Sequence, residues 1–241
     1  MSNLELPSAP WIVGHRGAAG EICENTLASF RRALEAGVDM IELDIQMTQD
    51  GELVCFHDWT LARLGGRADA VEESSSDLVT GITIAPDGSR IPLLRDALEV
   101  IPASVPLNVE LKRRRTPPVK LVRRVLDQLD GRGQILVSSF DWKLLETLRK
   151  LAPDLPLAPI ERHQPGKLLE AGKALGAVSL HGHRRLVTRH FIERAAVEGF
   201  DRVLAYTVNE PRQAEQLVED GVSGFFTDMP TKLVEHFRDR R

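Results

Sequence analysis

Short apolar runs alternate with stretches of helical spacing along almost the whole chain. WIVGH (11–15), MIELDIQM (40–47), ELVCFHD (52–58), LNVELK (107–112), QILVSS (134–139), LPLAPI (155–160), AVSLHGH (177–183), RVLAYTV (202–208) and GFFTD (224–228) read as strands. Between and after them, 25–37, 94–101, 119–129, 141–151, 167–175, 189–199, 211–220 and 231–240 read as helices. In the first helix Leu27, Phe30 and Leu34 recur at helical spacing and Gly37 suits a C-cap. Asp141 suits an N-cap, and Pro211 a first helical turn. Alternation of this kind predicts an α/β fold of parallel strands with helical crossovers.

Nine strands are one too many for a (β/α)8 barrel of the TIM type. Parallel neighbours need a crossover of a dozen or more residues, and the TQDG joining 40–47 to 52–58 is far shorter. Asp50-Gly51 is instead a hairpin signal. The expectation is therefore eight parallel strands plus one antiparallel hairpin strand. A turn centred on Asp50-Gly51 sets His57 opposite Asp44, and a turn centred one residue earlier sets it opposite Glu42. Residues 59–92 follow no βα pattern and are expected to form a short insertion over the barrel mouth, with a disordered surface loop as the alternative.

Length and composition agree with one barrel domain spanning 1–241: a chain of 241 residues, 42% hydrophobic and 27% charged, is typical of a single globular α/β barrel. A net charge of −4 argues against nucleic acid as partner. RRR at 113–115 reads as the solvated start of a helix. The first ten residues lack the pattern of a signal peptide, and no apolar run reaches the ~20 residues that cross a bilayer. Cys23 and Cys55 alone make no disulfide framework, so a cytoplasmic location is expected, with Cys55 buried in its strand. The sequence is compatible with a monomer or a homodimer.

Charge at the strand ends is what changes this picture, because barrel enzymes place their chemistry there. Glu42 and Asp44 are two apart in an apolar strand and so share a face, where two carboxylates need a neutralising partner. With Glu110 they offer three oxygen ligands, a set suited to Mg²⁺ or Ca²⁺ rather than Zn²⁺. Lys112 shares the face of Glu110 and, with the planar fork of Arg16, suits a substrate phosphate. His15 and His57 are candidates for an acid–base pair, and Asp58 can orient its neighbour or cap the following segment. Of the other histidines, only His181 ends a strand near the mouth. No nucleophile elbow, nucleotide-binding glycine pattern or zinc spacing is present.

At these residues the chain resembles the glycerophosphodiester phosphodiesterase family over almost its whole length. HRGAAGEICENTLASF is similar to the family's opening motif, MIELDIQMTQDGELVCFHD to its metal-and-histidine hairpin, and VELK to its third element. VSSF (137–140), YTVN (206–209) and GFFTD resemble its later strand ends. The resemblance implies an α/β barrel that hydrolyses a glycerophosphodiester to sn-glycerol 3-phosphate and an alcohol such as choline or ethanolamine. It implies His15 and His57 as general acid and base, Glu42, Asp44 and Glu110 as metal ligands, and Arg16 and Lys112 on the phosphate. Tyr206 replaces the usual tryptophan of the W-T-V-N element and would contact the substrate; Cys23 stands where proline is usual; and the insertion lacks the family's Arg-Thr-Thr stretch.

Rival readings are a phospholipase-type or lysophospholipase D-type phosphodiesterase on lipids, and a non-catalytic phosphodiester-binding barrel. A phospholipase is expected to have an apolar or basic rim, whereas Glu72, Glu73 and Asp77 make the insertion acidic. A binding barrel is expected to lack one of the seven polar positions, and all are present.

Overall fold

The apolar runs resolve into strands β1 (Trp11–Gly14), β2 (Met40–Met47), β3 (Leu53–Cys55), β4 (Leu107–Leu111), β5 (Ile135–Ser139), β6 (Leu157–Glu161), β7 (Leu180–His183), β8 (Val203–Tyr206) and β9 (Gly224–Thr227) in a computed structural model. It describes residues 10–238; most of the segment read for a signal peptide and the last two positions of the closing helix, 239–240, lie outside them. β1 pairs in parallel with both β2 and β9, which closes β1, β2 and β4–β9 into a barrel of eight parallel strands. β3 is the surplus strand and runs antiparallel to β2.

Strand alternation divides the side chains between two cores. On β2, Ile41, Leu43 and Ile45 join the layer under the helices. Met40 belongs instead to the interior cluster with Trp11, Val13, Leu136, Ala158, Leu204 and Phe226. Glu42 and Asp44 share the face of Met40 and so point into the barrel, above this apolar plug.

The helices are α1 (Leu27–Ala36), α2 (Ala62–Gly65), α3 (Ser76–Gly81), α4 (Leu94–Val100), α5 (Pro118–Leu129), α6 (Trp142–Leu151), α7 (Pro165–Leu175), α8 (Arg189–Val197), α9 (Pro211–Glu219) and α10 (Pro230–Phe237). None among the described residues is long and apolar enough to cross a membrane. Gly37 closes α1 in the left-handed conformation (φ 83°), Asp141 caps α6 by accepting from the Lys143 N–H, and Pro211 opens α9. Arg113–Arg115 do not begin a helix. Proline restricts the residue before it and lacks an N–H, so α5 starts only at Pro118. Arg113 is held instead by Asp141 at 2.7 Å, and the Arg114 and Arg115 N–H groups donate to Glu72.

The hairpin register falls between the two expected. Ile45 faces Cys55 and Met47 faces Leu53, so residues 49–51 form a three-residue loop. The Gly51 N–H donates to the Thr48 carbonyl, and Gly51 adopts φ 90°, the left-handed position that such a loop assigns to glycine. On this register His57 is opposite neither Glu42 nor Asp44. The paired strand stops at Cys55, and beyond it the Phe56 N–H donates to the Asp44 carbonyl and Gln46 Nε2 to the Phe56 and Asp58 carbonyls, which holds the His57 segment at the barrel mouth.

Residues 59–92 are ordered by a core of their own. Bridges join Thr60 to Ala70 and Thr83 to Arg90, and a 3-10 turn spans Val71–Glu73. Leu61, Val71, Val79, Ile84 and Ile91 bury against Val54 and Phe56 from the hairpin. Phe56 is fully buried at the centre of that cluster. Phe56→Ala is expected to remove about 3–5 kcal/mol of stability. Urea unfolding measures it, and a loss under 1 kcal/mol would show that this cluster contributes little to the fold.

Candidate active site

The Glu42, Asp44 and Glu110 carboxylates converge because Asp44 is the direct parallel partner of Glu110 across β2 and β4. Each offers an oxygen within 4.8 Å of the others. Glu42 and Asp44 are fully buried, and Glu42 Oε1 and Asp44 Oδ1 have no hydrogen-bond donor. Two cations counter the cluster. Lys112 Nζ lies 3.0 Å from Glu110 and 3.4 Å from Asp44, and Arg16 Nε lies 3.1 Å from Asp44. The Arg16 backbone N–H donates to Glu42 at 2.7 Å, and Asn25 donates to Asp44 at 2.8 Å.

The two inner carboxyls separate sharply. Burial, then the Asp44 and Glu110 charges, push the Glu42 carboxyl well above its usual range. Burial acts the same way on Asp44, but Lys112, Arg16 and His57 outweigh it and hold Asp44 below the usual range. Burial would lower the Lys112 ammonium, yet Asp44 and Glu110 raise it. Three carboxylates against two cations leave a negative excess, and two buried oxygens without donors face the same space. This donor set fits a hard divalent cation.

His15 and Arg16 follow β1 in a turn that only glycine can complete at position 17. Gly17 has φ 82°, and a Cβ there would sit 2.5 Å from the Ser29 Oγ. That hydroxyl donates to the Arg16 carbonyl and accepts from the Ala18 N–H, both at 2.8 Å, tying the turn to α1. His15 Nδ1 meets Asp228 Oδ1 at 2.6 Å, and Asn209 donates to the other Asp228 oxygen at 2.8 Å. Burial would raise Asp228, but the His15 and Asn209 contacts keep it low and ionised. His15 Nε2 is then the nitrogen left for chemistry.

His57 is held in the same manner. Its Nδ1 lies 2.7 Å from Asp58, whose second oxygen takes Arg63 Nε at 2.6 Å. Arg63 forks onto Glu24 at 2.7 and 3.0 Å, and Glu24 accepts from Arg16 at 2.8 Å. An unbroken chain of charge pairs therefore runs from His57 to Asp44.

All eight residues singled out in the sequence lie at this end of the barrel. His15, Arg16, Glu42, His57, Glu110 and Tyr206 line one inner cavity of about 90 Å³, which opens beside a groove of about 970 Å³ that Lys112 also lines. The Tyr206 hydroxyl donates to the Glu161 carbonyl at 3.0 Å, and its ring packs edge-on against Phe140 and His183. Asp228, Asn209, Asn25, Glu24 and Arg63 did not stand out in the sequence. Asp228 ends the last strand run, so the strand-end rule that selected the others could have found it. Arg63 sits in the one segment without periodicity, where no such signal exists.

His181 reaches the inner cavity from β7 but is fully buried, with neither ring nitrogen hydrogen-bonded. Burial alone pushes its pKa down to about 3. A histidine kept neutral in the folded state stabilises it above the unfolded value near 6.5, and that stability is lost as pH falls from there toward 3. The loss approaches ~1.4 kcal/mol per pH unit. His181→Phe is expected to flatten the acid limb of the stability curve between pH 6.5 and 4; an unchanged limb would mean that His181 protonates without cost.

The model of the glycerophosphoryl diester phosphodiesterase family matches residues 15–232. A glycerophosphodiester phosphodiesterase of Bacillus altitudinis is 32% identical over 241 residues, covering 93% of this chain and 96% of the relative. One from Caldanaerobacter subterraneus subsp. tengcongensis is 30% identical over 238 residues, covering 94% and 97%. The solved structure of an Oleispira antarctica phosphodiesterase in complex with the product sn-glycerol-3-phosphate aligns with a TM-score of 0.90 at 26% identity, over 95% of this chain and 97% of that one. With a family match across nearly the whole barrel and the polar cluster at its mouth, this chain belongs to the glycerophosphoryl diester phosphodiesterase family.

Proposed function

We propose that this enzyme hydrolyses glycerophosphodiesters to sn-glycerol 3-phosphate and an alcohol with a divalent cation, Mg²⁺ or Ca²⁺, held by Glu42, Asp44 and Glu110, and with His15 and His57 as the acid–base pair. One observation carries the reading: two histidines, each with Nδ1 fixed by a carboxylate, border a cavity above three carboxylates, two of which keep a buried oxygen without a hydrogen-bond donor. When bound, the cation supplies Lewis-acid stabilisation of charge growing on the phosphoryl oxygens.

The chain's own residues account for the protons. Hydrolysis breaks the phosphorus–alkoxide bond and forms one to an entering oxygen, so one proton must leave the nucleophile and one must reach the departing alcohol. One imidazole takes the first through Nε2 and the other donates the second. Asp228 and Asp58 hold the two rings in the tautomer that this requires and stabilise the imidazolium form of each. The same exchange serves whether the entering oxygen is water or a substrate hydroxyl. Arg16 and Lys112 add positive charge for the phosphate, and Tyr206, beside Phe140, packs the organic part of the substrate. We read 59–92 as part of this catalytic unit, forming its rim, because Arg63 and Trp59 extend from it to the site. The free thiols of Cys23 and Cys55 support a reducing, cytoplasmic setting.

Release of glycerol 3-phosphate from glycerophosphocholine and glycerophosphoethanolamine, with Mg²⁺, Ca²⁺ or chelator, tests the reading. Chelation is expected to abolish turnover, and His15→Ala and His57→Ala are each expected to lower kcat by about 10²–10⁴-fold. Full activity in chelator would remove the cation from the proposal, and turnover of lysolipids alone would replace the substrate. Thermal unfolding reads the cation site separately. A carboxyl raised above its unfolded value near 4.5 costs stability as pH rises past that value. Glu42→Gln is therefore expected to stabilise the metal-free protein at pH 7 and to abolish the rise in Tm on adding Mg²⁺ or Ca²⁺. An equal rise in both proteins would place the cation elsewhere.

A further inference from the structure

Across the mouth from the acidic cluster, the segments that follow β6 and β7 are basic. Arg162 and His163 come from the first, and Arg184 and Arg185 from the second. Arg162, His163 and Arg185, together with His190 and Arg194 of α8, line a second cavity of about 520 Å³ whose lining includes the buried Leu186 and Phe191. No carboxylate lines this cavity. Arg194 pairs with Glu198, but Arg162, Arg184 and Arg185 have no ion pair among the described residues. Their proximity is felt by His183, whose imidazole is pushed down by burial and then by Arg184, Arg162, Arg185 and His163.

The other groove at the mouth differs. There Arg113 is paired with Asp141 and Lys112 with Glu110, and the carboxylates of Glu110, Asp141, Glu146 and Glu161 line the same groove. Unpaired guanidinium groups gathered around one concavity repel one another, and an anionic ligand removes that cost. Arg162 also lines the inner cavity with His15 and His57, so one guanidinium borders both the basic cavity and the candidate catalytic site.

We propose that this cavity binds a second anionic group carried by the leaving alcohol, so that the enzyme prefers glycerophosphodiesters whose alcohol is itself phosphorylated. The inference rests on the hydrolytic reading above. The diester phosphorus reacts between the two histidines while the terminal phosphate lies among Arg185, Arg194 and His190. Water supplies the hydroxyl, the phosphorus–alkoxide bond breaks, and the products are glycerol 3-phosphate and the phosphorylated alcohol. Because the terminal phosphate is remote from the reacting bond and unchanged by it, the contact lowers KM and leaves kcat alone.

A matched pair of substrates tests this: glycerophosphoglycerol, and the same molecule with a phosphate on its free terminal hydroxyl. The wild-type enzyme is expected to favour the phosphorylated one by roughly tenfold or more in kcat/KM at low salt, as for a charge-assisted hydrogen bond, with the preference shrinking in 0.5 M salt. Arg185→Glu and Arg185→Ala, at an exposed position, are expected to erase the preference through KM and to leave glycerophosphoglycerol turnover and Tm unchanged. No preference in the wild type, or equal loss on both substrates in the variants, overturns the proposal. So does Arg185-dependent binding to phosphatidylglycerol vesicles with no substrate preference, which would make the patch a membrane contact. Absence of turnover on either substrate and on glycerophosphocholine overturns the hydrolytic reading along with this one. Turnover without discrimination overturns this one alone.

Discussion

The mouth of this barrel is built around a charge imbalance that the fold does not neutralise by itself. Glu42 and Asp44 are buried one above the other on β2, and Glu110 joins them from β4. Coulomb repulsion in a site of reduced dielectric is large, so the cluster requires positive charge from elsewhere. Arg16 and Lys112 provide part of it, and the remaining excess is expressed in the opposite displacements of the Glu42 and Asp44 carboxyls. The surrounding architecture follows from supplying those cations. The strained turn at Arg16–Gly17 exists to direct a guanidinium and a backbone N–H at two carboxylates at once. The alternation of β4 places Lys112 on the face of Glu110.

The second consequence concerns order. Neither histidine is fixed by the barrel strands alone. His15 depends on Asp228 from the far end of the chain, which closes the ring of strands chemically as well as by backbone pairing. His57 depends on Asp58, and through it on Arg63 from the inserted segment. Because Arg63 also grips Glu24, which holds Arg16, the insertion and the carboxylate cluster are mechanically one unit. A segment without βα periodicity therefore holds the carboxylate that orients a central side chain.

Strand-end chemistry was legible in the sequence because it depends on short-range periodicity. Residues two apart share a face, and an apolar strand that ends in charge points that charge at the mouth. This logic located His15, Glu42, Asp44, Glu110 and Lys112, and the brevity of TQDG identified the surplus strand. It could not give the hairpin register, since Asp50-Gly51 suits a two-residue or a three-residue loop, and the two shift the pairing of β2 with β3. Nor could it anticipate that Arg113 pairs with Asp141, a contact made only when the strands assemble. Glu24 and Arg63 eluded it for another reason: they pair with each other across 39 residues, and no local pattern encodes such a distance. Asp228, 213 residues from His15, ends a strand run and was open to the same rule.

The mouth is also polarised from one side to the other. β2 and β4 gather carboxylates, whereas the segments beyond β6 and β7 gather arginines, and the two histidines belong to the side of β1 and β3. A uniform field would draw a phosphodiester in without orienting it. An acidic cluster able to take a cation on one side and guanidinium groups on the other give the mouth two distinct faces, and Arg162 lines both the inner and the basic cavity. Tyr206 stands between these halves, with its hydroxyl tied to the Glu161 carbonyl and its ring against Phe140. That position makes it a wall rather than a charge. In the reading proposed above it directs the organic part of the substrate without competing for the phosphate, which leaves the choice of leaving group to the rim and the chemistry to the floor.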